Sequence, residues 1–162
     1  MTTKRQMRAL ATRLLAAGLA LALSPLAVAA TAGDGALAPL AAALDDAEAH
    51  AAPLAEHAAT ASPAELTRPI DDEAGAFAAT VAADQALTRV TRDNPAALPR
   101  GADTAMLAAL NQAHAALSTY ALARADGDRT TMRAAAGEAV EALGRAAALV
   151  EESRPYPLVH IR

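Results

Sequence analysis

Four histidines, His50, His57, His114 and His160, are the side chains of this chain that ordinarily change charge near neutral pH. His50 and His57 stand seven residues apart, which on a helix means one face and about 10.5 Å along the axis. That is too far for one ion to be shared directly. Asp46 precedes His50 by one helical turn and can orient its ring, as a carboxylate does behind a metal-bound imidazole. A bundle that brings His50 or His57 together with His114 and Asp84 would offer the nitrogen and oxygen donors suited to zinc, copper or nickel. The competing expectation is structural: His50 and His57 solvated, His114 partly buried and bonded to backbone. The expected cofactor is none, with a divalent transition metal on His50, His57, Asp84 and His114 as the alternative.

Other chemistries find fewer footholds. The chain has no cysteine, so a disulfide framework, thiolate metal sites, covalent c-type haem attachment and a thiol nucleophile are all excluded. A b-type haem bundle with methionine in the first helix and histidine in the last is not matched, which leaves His114 opposite Met132 as the one conceivable pair. Ser24, Ser62, Ser118 and Ser153 lack the sharp turn that presents a nucleophile. Asp45-Asp46 and Asp71-Asp72-Glu73 are acidic clusters, but adjacent residues on a helix diverge and do not form an acid/base dyad. Glycines occur singly, with no phosphate-cradling loop. No catalytic activity is expected.

The segments that must position these side chains begin after an export address. Lys4, Arg5, Arg8 and Arg13 precede an apolar run from Leu14 to Leu23, Ser24-Pro25 breaks it, and Ala27-Val28-Ala29 offers small residues to a signal peptidase. The run is shorter than the roughly 20 residues needed to span a bilayer. Residues 1–29 therefore read as a cleaved signal peptide, with cleavage after Ala32 as a second choice, so a periplasmic or secreted protein with no stable membrane anchor is expected. Removing them takes away four positive charges and moves the formal balance from −4 to −8. Such an acidic surface argues against nucleic acid, which needs clustered Lys or Arg.

Residues 30–153 read as one all-α domain, an antiparallel four-helix bundle in which prolines interrupt helix one and helix two. Helix one covers about Leu37 to Ala61, with Pro53 expected to kink or divide it. Ser62-Pro63-Ala64-Glu65 is a capping box that starts a short turn ended by Pro69. Asp71-Asp72-Glu73 then opens a helix whose stripe is Phe77, Val81, Asp84, Leu87 and Val90. After a loop over residues 93–101, Asp103 caps a helix with the stripe Leu107, Leu110, His114, Leu117 and Ala121. Gly127 and Asp128 stop that helix and start the last one, on which Met132, Ala136, Ala139, Leu143, Ala147 and Val150 face the core and Glu141 pairs with Arg145. Residues 154–162 read as an extended tail held straight by Pro155 and Pro157, either laid along the bundle through Tyr156, Leu158 and Ile161 or docking on another protein.

Hydrophobic residues make up 54% of the chain, yet alanine dominates them and the aromatics are only Phe77, Tyr120 and Tyr156. Alanine assures helices but contributes little burial. A thin core of this kind favours close helix approach or further burial against a second copy, so a homodimer is a natural expectation. The pattern as a whole points to an exported, acidic helical bundle acting without catalysis as an interaction, scaffold or stress-related binding module. A metal-binding bundle built on His50, His57 and His114 is the alternative.

Overall fold

A computed structural model describes residues 25–154, with side chains from residue 35 onward. The chain forms α1 (Pro25–Thr60), α2 (Pro63–Leu66), α3 (Asp71–Asp93), a 3-10 turn (Pro95–Ala97), α4 (Ala102–Asp126) and α5 (Arg129–Ser153). No strand occurs among the described residues, and the four long helices make a helical bundle. The charged and apolar parts of the expected signal peptide, residues 1–24, and the tail from residue 155 lie outside the described residues.

Local sequence sets the ends of these elements. Ser62 accepts a hydrogen bond from the Glu65 N–H while Glu65 accepts one from the Ser62 N–H, which completes the capping box with Pro63 at the first helical position. Asp71, Asp72 and Glu73 occupy the first turn of α3, where the helix dipole favours negative charge. Gly127 holds φ at 72°, the left-handed conformation that ends α4, and the Asp128 carboxylate accepts from the N–H groups of Thr130 and Thr131 to begin α5. Gly101, at φ 83°, occupies the cap position of α4. Asp103 is therefore not the cap expected for it; it lies inside the first turn.

Pro53 does not divide helix one. Pro39 and Pro53 both sit within a continuous 36-residue helix. Each proline leaves the carbonyl four residues earlier without its usual donor, and those carbonyls belong to Gly35 and Ala49, both exposed. Water can satisfy them, while Leu37, Leu40, Leu44, Ala47, Ala51, Leu54 and Ala58 continue one buried stripe past both prolines. Packing on that stripe outweighs the lost backbone bonds.

The bundle is closed by small faces. α1 packs along α3 and α5, and α4 packs along α5; α3 and α4 meet more sparingly. α3 turns Ala76, Ala79, Ala83 and Ala86 inward, and α5 does the same with Ala135, Ala136, Ala139, Ala142 and Ala146. Leu54, Met106, Leu117, Tyr120, Met132 and Leu143 fill the remaining space at 0% exposure. The stripe expected on α3 is thus displaced: Leu87 and Val90 are buried, but Phe77 is only half-buried, and Val81 and Asp84 are exposed. On α4, Leu110 and Leu117 are buried, whereas Leu107 and His114 face outward. Glu141 also does not take Arg145, whose guanidinium donates to the Gln112 side chain of α4 at 2.8 Å.

Because the large core residues are few, each one carries much of the stability. Leu54→Ala is expected to cost about 2 to 5 kcal/mol, while Leu122→Ala, at a side chain 70% exposed, should change stability by less than about 0.5 kcal/mol. Urea unfolding followed by circular dichroism measures both.

Candidate functional site

The four side chains considered as metal ligands occupy separate places. His50, half-buried on α1, donates from Nδ1 to Asp72 Oδ1 of α3 at 3.1 Å, and its Nε2 lies 3.9 Å from Asp46 Oδ1, beyond hydrogen-bond reach. Its ring rests on the backbone of Gly75. A Cβ built there would come within 2.6 Å of His50 Nδ1, so glycine is what admits the imidazole to Asp72. His57 presents a buried Nε2 with no hydrogen-bond partner among the described residues. His114 is exposed on α4 and meets Phe77 of α3 edge to face, with ring centroids 5.2 Å apart at 77°. Asp84 lies exposed on α3, at the rim of a groove. Among the described residues, no three histidine or carboxylate side chains gather as a metal-ligand set. The His114–Met132 pair is not formed either, since Met132 is fully buried and His114 faces outward.

Two arginines that flank the α4–α5 turn have roles that no spacing in the sequence signals. Arg124 donates from Nε to Glu73 Oε2 at 2.6 Å and from Nη2 to Oε1 at 3.4 Å, and both side chains are 12% exposed. Its Nη1 donates to the Thr67 carbonyl at 2.8 Å. Arg129 donates from Nη1 to the carbonyls of Ala58 and Ala59, each at 3.1 Å, and from Nη2 to that of Ala61. Those carbonyls belong to the C-terminal end of α1, where backbone acceptors lack helical donors and the dipole is negative. A planar fork suits several acceptors at once. The sole sequence clue is a basic residue in the last turn of α4 and another directly after the Asp128 cap.

Beside this clasp stands Tyr120, fully buried, with its hydroxyl 3.4 Å from the Leu54 carbonyl. Burial pushes its pKa up to about 12, Glu73 adds to the rise, and Arg124 opposes it.

The open side of the bundle is the seam between α3 and α4. A groove of about 360 Å³ runs there between Asp84, Leu87 and Thr91 on α3 and Asp103, Thr104 and Leu107 on α4. Val81 and Leu107 are 42% and 44% exposed along the same seam, and Phe77 and His114 continue it. Arg92 of α3 lines the groove as well, and its charge is engaged by Asp93, with Nε and Nη2 donating to the carboxylate at 2.7 and 3.1 Å. Asp84 and Asp103 make no ion pair among the described residues. The groove therefore combines an apolar floor with a rim of two carboxylates, a setting for an apolar segment that carries positive charge. None of the described helices is long and apolar enough to cross a membrane. No protein-family model, curated protein or solved structure matches the chain.

The buried phenol generates an alkaline signature. Its folded-state pKa is raised above the ordinary value of 10.0 to about 12, so the stabilising difference is complete below pH 10 and is lost as pH rises from about 10 to 12. Urea midpoints measured from pH 9 upward should fall across that window in the native chain, and the fall should be shallower in Tyr120→Phe.

Proposed function

We propose that this chain is an exported, non-catalytic interaction module whose working surface is the α3–α4 seam. The observation that carries this reading is the groove, an apolar strip rimmed by Asp84 and Asp103 at the most sparingly packed of the long-helix interfaces. Large apolar side chains placed at an open seam contribute little to folding and are available to a partner. The preferred partner is a protein segment with alternating apolar and basic residues, since the two rim carboxylates favour cations and disfavour acidic chains. The antiparallel course of the four long helices is part of this reading. It is supported by His50 meeting Asp72 while Pro39 lines a pocket with Val90 and Asp93, and by Arg145 meeting Gln112. Export rests on the Lys4–Ala29 pattern, and the acidic mature surface keeps the module away from nucleic acid.

Site-specific photo-crosslinking in the producing cells tests the surface. A photoreactive residue replacing exposed Ala108, beside Leu107, should yield discrete adducts that disappear when Leu107→Asp is added, and the same probe at exposed Glu138 on α5 should yield none. Adducts from Glu138 alone, or adducts from Ala108 that ignore Leu107→Asp, would contradict the assignment.

A further inference from the structure

The groove has a candidate occupant within the chain itself. Arg145 of α5 is level with Gln112 of α4 through their hydrogen bond. Eight residues further along α5 and eight back along α4, Ser153 is level with Thr104, and Thr104 lines the groove. The described chain thus leaves α5 at the end of the bundle where the groove lies.

The segment that follows has the reach and the chemistry. Residues 155–162 number eight and can span up to about 26 Å, whereas passing around one helix takes about 10 to 12 Å. Pro155 and Pro157 favour an extended backbone, which lowers the entropy lost on docking. Tyr156, Leu158, Val159 and Ile161 are largely apolar, Arg162 carries a permanent positive charge, and His160 gains one on protonation. The groove offers Leu87 and Leu107 as floor and Asp84 and Asp103 as rim, with Arg92 already engaged by Asp93. Apolar content and charge sign match on both sides.

We propose that residues 155–162 lie in the α3–α4 groove of their own chain and that a partner must displace them to bind. This rests on the groove being the interaction surface and adds its regulation: the segment resembles the partner in chemistry and competes with it as a tethered ligand, at the high effective concentration a short link provides.

The chain has no cysteine, so a single introduced thiol gives a unique attachment point. A nitroxide on Gln85→Cys, an exposed position next to Asp84, is read through the amide signals of Leu158, Val159, His160 and Ile161 in the full-length chain. Those four signals should lose most of their intensity, recover on reduction of the nitroxide, and recover when Leu107→Asp is added with the helical circular dichroism unchanged. Isotope-labelled chain without the nitroxide, mixed with unlabelled spin-labelled chain, should show no loss. Loss in the mixed sample as well would mean that the segment docks on a second copy, which overturns the intramolecular assignment and keeps the groove as a binding surface. Full intensity in both samples would overturn the segment as occupant, while the crosslinks at Ala108 independently decide whether the groove binds a partner.

Discussion

Alanine lines the contact faces of this bundle, and close approach of those faces is the constraint from which the other features follow. An alanine side chain contributes little burial, so adjacent helices gain stability by bringing backbones and Cβ atoms near one another. Ala76, Ala79, Ala83 and Ala86 of α3 turn toward the interior, and this rotation carries Phe77 and Val81 to the edge. On α4, Met106, Leu110, Leu117 and Tyr120 point inward, and Leu107 and His114 fall on the outer side. The groove between α3 and α4 lies where this rotation leaves the larger side chains at the edge of the interface.

Close packing along the helices leaves their ends to be fastened by polar groups. The segment from His57 to Glu73 ends α1, makes one helical turn and starts α3, and it exposes carbonyls that no helix satisfies. Arg124 and Arg129 reach it from either side of the Gly127 turn. The Arg124–Glu73 pair is nearly enclosed and bidentate, a geometry in which removing one partner leaves the other charge without compensation. Arg129 stands at the positive end of α5, an unfavourable place for a cation taken alone, and its guanidinium finds its compensation at the negative end of α1.

What was legible in the sequence was local. The capping box at Ser62, the acidic first turn of α3, the Gly127 stop and the Asp128 cap each depend on residues within four positions of one another, and the helix ends they set fall within a few residues of their expected places, whereas α1 begins at Pro25, well before the expected Leu37. Facing was legible on α1 and α5, whose expected stripes from Leu37 to Leu54 and from Met132 to Val150 are largely buried, but not on α3 and α4, where alanine occupies every side and the periodicity of the larger residues points to the edge of the interface. That is why Phe77, Val81, Leu107 and His114 read as core. Pro53 misled for another reason: the rule for interior proline says nothing about whether the orphaned carbonyl faces water, and that of Ala49 is on an exposed residue. Contacts such as Glu73 with Arg124, separated by 51 positions, have no spacing to betray them. The histidines illustrate the same limit, since His50 found its carboxylate on α3 at Asp72, opposite a glycine, and not first on its own helix at Asp46.

The functional reading depends on α3 being sealed to α1 and only loosely joined to α4. Hydrogen exchange under native conditions, resolved by residue, tests that directly. The account predicts that the amides of α3, packed closely on α1 alone, exchange through local unfolding of lower free energy than the buried amides of α4 and α5, which stay packed together. Equal protection across α3, α4 and α5, all at the global unfolding free energy, would show that the seam is packed as firmly as the other interfaces and would remove the basis for an interaction surface there.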